Sequence, residues 1–198
     1  MVDLFTGCFE GGVYVCSGKQ AGGFAPPVAM LDRDGRLLRL GQFWDDVKDE
    51  WTGVADSKWK AELGIGVAAV DWDDDGDLDL VLGSNGGGLF VRKNVGTATK
   101  AVYELDSEAA QSTAAASAAP ASDATEPTSH PTNALLTVPG DHLIPAVADW
   151  DGDGRFDVLS GSGSGGVYWF RNVGKKGAPK FEAAKALLEP SVDHGSIT

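Results

Sequence analysis

The sequence predicts an all-β protein, and three observations carry that prediction. The 198 residues include 27 glycines, a share that all-β folds use in their many tight turns. Short β-branched and apolar stretches recur at even spacing, punctuated by Gly, Ser and Asn, as short strands joined by hairpin turns do. Finally, one segment occurs twice. Shifted by 78 residues, 71–96 lies over 149–174 with 13 of 26 positions identical, including Asp71/Asp149, Trp72/Trp150, Gly76/Gly154, Asp79/Asp157 and Asn94/Asn172. Chance does not give that match, so the chain contains a duplicated structural unit of the kind that stacks on its neighbours to bury a core.

Taken in order, the chain opens on a less obvious third copy: Asp3-Leu-Phe-Thr-Gly and Gly11-Gly-Val-Tyr-Val lie over 79–83 and 87–91. Residues 1–37 are therefore an incomplete first unit, with Asp3 standing for the last aspartate of a loop. Residues 38–64 hold Trp44, Trp51 and Trp59 among acids and lysines. They predict a folded excursion, helical near 54–63. The second unit spans 65–105 and reads as four strands: 65–70, 80–82, 89–92 and one near Tyr103. Residues 106–133, rich in Ala, Ser, Thr and Pro without hydrophobic period, predict a mobile insert between units. The third unit, 134–198, repeats the pattern with strands at 144–148, 158–159, 167–170 and near Phe181. The chain is thus expected to begin and to end inside a repeat. Such strands signal a sandwich or a propeller.

Each complete unit carries an Asp-rich loop between its first and second strands. The first is Asp71-Trp-Asp73-Asp-Asp75-Gly76-Asp77-Leu-Asp79, the second Asp149-Trp-Asp151-Gly-Asp153-Gly154-Arg155-Phe-Asp157. Both fit D-x-D-x-D-G-x-x-D. Carboxylates at positions 1, 3 and 5 converge when the backbone coils tightly, and the glycine at position 6 permits the sharp turn. Position 7 offers a main-chain carbonyl, so Asp77 and Arg155 are equally acceptable there, and the aspartate at position 9 closes the shell. A set of hard oxygen donors suits Ca²⁺, whereas Mg²⁺ prefers to keep its water and zinc or copper would call for His or Cys. An EF-hand shares the first half of the pattern but needs Glu at position 12 between two helices. Here position 12 is Leu82 or Ser160, and the flanks are strand-like.

Charge and composition narrow the function. With 16 basic and 29 acidic residues the formal charge is −13, which repels nucleic acid and anionic membranes. No apolar run reaches the ~20 residues of a membrane span, and the start has neither a basic nor an apolar signal region. Cys8 and Cys16 flank an expected hairpin that pairs Cys8 roughly with Val13, so no disulfide is expected. Gly161-Ser-Gly-Ser-Gly-Gly precedes a strand, not the helix a nucleotide loop needs, and reads as a β-turn. No Ser/His/Asp or Cys/His set stands out, and His130, His142 and His194 lie away from the loops.

The stretch Val-Ala-Ala-Val-Asp71-Trp-Asp-Asp-Asp-Gly-Asp-Leu-Asp-Leu-Val-Leu-Gly and its copy at 146–161 resemble the FG-GAP/VCBS repeat of integrin α-chains and many secreted bacterial proteins. The resemblance covers roughly 3–20, 64–105 and 145–189. It implies a calcium-binding β-propeller with blades of four antiparallel strands. This chain would supply about three of them, the first incomplete, as a partial or oligomer-completed propeller or part of a longer one. By the resemblance Asp71, Asp73, Asp75, Asp77 (main chain) and Asp79 form one Ca²⁺ site, and Asp149, Asp151, Asp153, Arg155 (main chain) and Asp157 the other. It implies a non-catalytic binding or adhesion module, extracellular, at the cell surface or periplasmic, with a protein or carbohydrate ligand. The alternative is a fragment of a propeller-type polysaccharide lyase or other sugar-processing enzyme.

Overall fold

The duplicated unit folds twice as a four-stranded antiparallel sheet. The computed structural model of the chain describes residues 2–8, 11–40, 42–45, 49–53, 66–104, 136–138 and 140–190. Among them there is no helix. The first sheet is β1 (Leu4–Gly7), β2 (Val13–Cys16) and β3 (Val28–Ala29). A separate hairpin follows, β4 (Gln42–Asp45) with β5 (Glu50–Gly53), in which Trp44 is paired with Trp51. The second sheet comprises β6 (Gly66–Val70), β7 (Asp79–Gly83), β8 (Gly88–Arg92) and β9 (Leu136–Thr137). The third comprises β10 (Ile144–Ala148), β11 (Asp157–Gly161), β12 (Val167–Phe170) and β13 (Lys185–Leu188).

Strand alternation explains how the sheets stack. Successive side chains of a strand point to opposite faces, and β7 and β8 are buried along their whole length. Leu80, Leu82 and Phe90 face one way, into a core completed by Val13, Leu38 and Tyr103. Val81, Leu89 and Val91 face the other way, into a core completed by Val158, Tyr168 and Phe170 of the third sheet. The second sheet is therefore sandwiched, which is why its strands read as continuous apolar runs. Two glycines permit the close approach. A Cβ on Gly83 would lie 2.2 Å from the Leu143 carbonyl oxygen, and one on Gly66 would lie 2.6 Å from it. The described residues form no closed barrel or ring.

The first sheet is held by the same kind of hydrogen bond as the other two. Asp3 accepts the Gly18 amide at 2.9 Å, just as Asp79 accepts that of Asn94 and Asp157 that of Asn172, each at 2.7 Å. The β1–β2 hairpin pairs Gly7 with Val13 and Leu4 with Cys16, and the Cys8 amide donates to the Gly12 carbonyl. Cys8 thus lies opposite Gly12, one residue from the expected partner, and both cysteines are free. The Gly/Ser run after β11 is a turn, closed by Gly165 donating to Ser162, and a strand follows it.

Four expectations are corrected. The fourth strand of the second sheet is not at Tyr103, which makes only single bridges to Asn94 and Asp32. It is β9, paired with β8 through Leu89–Leu136, so the insert joins two parts of the second sheet and a boundary at 134 falls inside that sheet. Phe181 likewise makes a bridge, to Asn172, and the outer strand of the third sheet is Lys185–Leu188. The boundary at 38 also moves: Leu38 and Leu40 are buried in the core between the first and second sheets. Glycine-poor local signals cannot reveal such pairings, because Leu136–Thr137 takes its strand form from a partner some 47 residues away in sequence. The predicted helix at 54–63, Trp59 and the insert at 106–133 lie outside the described residues.

Candidate metal centre

Both Asp loops sit between the first and second strands of their sheets, and their backbones repeat the same hydrogen bonds. Asp71 accepts the amides of Asp75 and Gly76, both at 3.1 Å, and Asp75 accepts that of Asp77 at 3.1 Å. Asp149 accepts Asp153 and Gly154, both at 3.0 Å, and Asp153 accepts Arg155 at 3.1 Å. Position 6 is left-handed in both, with φ of 94° at Gly76 and 85° at Gly154. Position 4 is left-handed too: φ is 64° at Asp74 and 76° at Gly152. The first loop tolerates a side chain there because aspartate is one of the few residues that visit this region.

The coil this produces brings carboxylate oxygens of Asp71, Asp73 and Asp75 within 4.8 Å of one another, and does the same for Asp149, Asp151 and Asp153. Each cluster could hold a metal ion. Like charges about 5 Å apart repel by about 3 kcal/mol at an effective dielectric of ~20, and by less where water reaches them, so each cluster needs a cation nearby. In the first loop the Lys93 ammonium donates to Asp73 at 2.8 Å, and that hydrogen bond raises the lysine's pKa. In the second, Arg171 donates to Asp151 at 2.6 Å and lies 3.5 Å from Asp153, while Arg155 also pairs with Asp153. Lys93 and Arg171 occupy equivalent places, 78 residues apart. Their shared offset behind both loops was the signal that sequence reasoning passed over.

The remaining predicted residues divide. Asp79 is 1% exposed and its two oxygens accept the Trp72 amide at 3.0 Å and the Asn94 amide at 2.7 Å. It fastens the start of its loop to the end of β8. Burial pushes its carboxyl up to about 6, against the lowering effect of those two donors. Asp157 is fully buried and accepts Asn172 in the same way. Neither belongs to the convergent triplets. The Asp77 carboxyl is buried, and its pKa is raised first by that burial and then by the charges of Asp75, Asp73 and Asp71. Arg155 donates to the Asn172 carbonyl at 2.7 Å. His142 is exposed, 3.2 Å from Asp141, and His130 and His194 lie outside the described residues.

A hard cation fits this donor set. Every convergent ligand atom is a carboxylate oxygen, and Asp73 Oδ1 and Asp77 Oδ1 are buried beside the first cluster without a hydrogen-bond partner. Buried acceptors of that kind call for a cation or a proton. The first loop is also covered. Lys176 of the third sheet reaches Asp74 at 2.5 Å, and a Cβ on Gly177 would lie 2.7 Å from the Asp73 carbonyl oxygen. Its Trp72 is buried against Phe181, ring centroids 5.6 Å apart, whereas Trp150 in the second loop is 54% exposed. Compared with protein-family models, with curated proteins and with solved structures, the chain matches none of them.

Proposed function

We propose that the chain is a calcium-binding repeat module of propeller type, non-catalytic, in which the Asp loops hold Ca²⁺ in a structural role and the stacked sheets present a binding surface outside the cell. The convergence of two oxygen-only triplets, Asp71/Asp73/Asp75 and Asp149/Asp151/Asp153, carries the reading. Oxygen donors without nitrogen or sulfur favour Ca²⁺, which accepts six to eight of them flexibly. In each loop the metal would neutralise carboxylates that the fold has gathered, and carboxylates so bound stay ionised and are poor general acids. The repeat resemblance supports the propeller and adhesion parts of the reading, and the stacking of successive four-stranded sheets is compatible with them.

Calcium sites in extracellular modules typically have Kd near 10⁻⁴–10⁻³ M, so ~1 mM calcium adds roughly 0.4–1.4 kcal/mol per site. The melting temperature is expected to fall on adding EDTA and to recover with Ca²⁺ but not with equal Mg²⁺. An unchanged melting temperature under all three conditions would sink the metal assignment.

A further inference from the structure

The first Asp loop belongs to the second sheet, but a turn of the third sheet rests on it. That turn, at 175–178, is closed by the Lys175 amide donating to the Ala178 carbonyl at 3.1 Å and by the return bond at 2.9 Å. The second sheet has the equivalent turn at 97–100, closed by the same pair of bonds at 3.1 and 3.0 Å. Thr99 stands there in the place of Gly177 and outside the left-handed region, so the closing bonds alone do not call for glycine. The contact with the loop does. Gly177 has φ of 72°, and a Cβ on it would lie 2.7 Å from the Asp73 carbonyl oxygen and 3.8 Å from the Asp74 Cβ. Without a side chain at 177 the turn can lie directly on the loop backbone.

Two more contacts join the same pieces. Lys176 Nζ lies 2.5 Å from the carboxylate of Asp74, the left-handed residue of the loop. Trp72 stacks on Phe181 of the third sheet while its amide donates to Asp79. Residues 72, 73 and 74 therefore all meet the third sheet, and Asp73 is also the middle member of the Asp71/Asp73/Asp75 triplet. Beside that triplet Asp77 is 9% exposed, and its Oδ1 is buried without a hydrogen-bond partner, within reach of the charges of all three. Carboxylates gathered this closely push the coil open unless a cation joins them. Opening the coil displaces the Asp73 carbonyl and the Asp74 side chain, on which the turn rests.

We infer that calcium in the first loop locks the third sheet onto the second: the ion fixes the coil under the 175–178 turn, and the seated turn in return tightens the ion's site. This rests on the calcium reading of the loop and adds that the site is shared between two sheets. The coupling is reciprocal, because whatever calcium does for the seating of the turn, seating does for the affinity of calcium.

Trypsin reads the turn directly, since Lys175 and Lys176 stand on it and the Lys176 side chain is 80% exposed. Cleavage there needs the turn to lift, and its rate follows the lifted fraction when opening and closing outpace the protease. In wild type, cleavage after these lysines is expected to be roughly tenfold slower in calcium than in EDTA, inside the usual range for coupled sites. The turn belongs to the third sheet, so steadying by that sheet's own loop would depend on Asp151. The coupling predicts the reverse: Asp73→Asn abolishes the protection and Asp151→Asn keeps it. In the Asp151→Asn background, where the first triplet alone is intact, adding Gly177→Val is expected to weaken calcium binding in calorimetry roughly tenfold. Protection that survives Asp73→Asn, or that Asp151→Asn abolishes, overturns the coupling, and so does an affinity that Gly177→Val leaves unchanged. Calorimetry on wild type separates the two readings. Calcium binding without protection of the turn overturns the coupling and leaves the calcium sites standing, whereas no binding at all overturns both.

Discussion

The two Asp loops have the same backbone and opposite electrostatics. Both coil through the same three amide-to-carboxylate hydrogen bonds and the same two left-handed residues. Yet the first gathers six aspartates, 71, 73, 74, 75, 77 and 79, around Lys93, with Lys176 reaching only its rim. The second gathers four and brings two guanidiniums among them, Arg155 and Arg171. The pKa values follow. Asp77 is raised by burial and by its acidic neighbours. At Asp151 burial raises the carboxyl, but the Arg171 hydrogen bond and charge outweigh it and hold the value below the ordinary one. Loop shape therefore goes with the aspartate-to-backbone bonding and left-handed residues common to both loops, while the charge balance around it differs with position 7 and with the cations beside the loop.

The sharpest way to break the comparison concerns the aspartate at position 9. Asp79 holds two buried amides and Asp157 one, with Asp157 Oδ2 buried and without a partner. Hydrogen bonds to a charged group contribute about 1.5–3 kcal/mol each. In EDTA, Asp79→Ala should cost about 4 kcal/mol in urea unfolding and Asp157→Ala about 2 kcal/mol. Equal costs would show that the two loops are fastened alike after all. If calorimetry still finds two calcium sites in Asp79→Ala, the residue is a fastener and not a ligand; if it finds one, position 9 closes the shell as the sequence pattern suggests.

A smaller effect is expected from charge. Removing the guanidinium that competes for Asp153 makes the second loop more like the first. Calorimetry should find that Arg155→Ala tightens calcium binding at that loop by about fivefold, the scale of a partly exposed ion pair. Unchanged or weaker binding would mean that Arg155 organises the loop through the Asn172 carbonyl more than it competes with the metal.

What was legible in the sequence follows from range. The Asp loops and the strands beside them were legible because their bonds are local: Asp71 bonds residues four and five positions on. The turn at Asp32, whose carboxylate accepts the Asp34 and Arg36 amides and meets Arg36 Nε at 3.3 Å, is equally local and was missed. Asp-Arg-Asp-Gly-Arg is too short to stand out from a charged loop, although it supplies an arginine where the longer loops gather more carboxylates. β9 was illegible for the opposite reason, since its partner lies across residues 105–135. The two amides that Asp79 accepts were illegible because a carboxylate's spacing does not say which way it turns. Burial decides that, and burial arises only when the second sheet is sandwiched.

The smallest effect separates the aromatics that close the two units. Tyr103 and Phe181 occupy equivalent bridges and both are buried, but Tyr103 donates a hydrogen bond to the Leu78 carbonyl at 3.2 Å. Burial, helped by the charges of Asp79 and Asp77, pushes its phenol up to about 12, against about 10 in an unfolded chain. The folded state therefore holds the proton more tightly. The stability this contributes is complete below about pH 10 and is lost as pH rises from there towards 12. Tyr103→Phe should cost about 1 kcal/mol at neutral pH, the net value of one hydrogen bond, because Phe181 shows that the bare ring fits its place in the repeat. Above about pH 10 the gap should close, since the variant has no phenol to ionise. A gap that stays constant with pH would mean that water reaches the ring, and that the core between the first two sheets is looser than the one between the second and third.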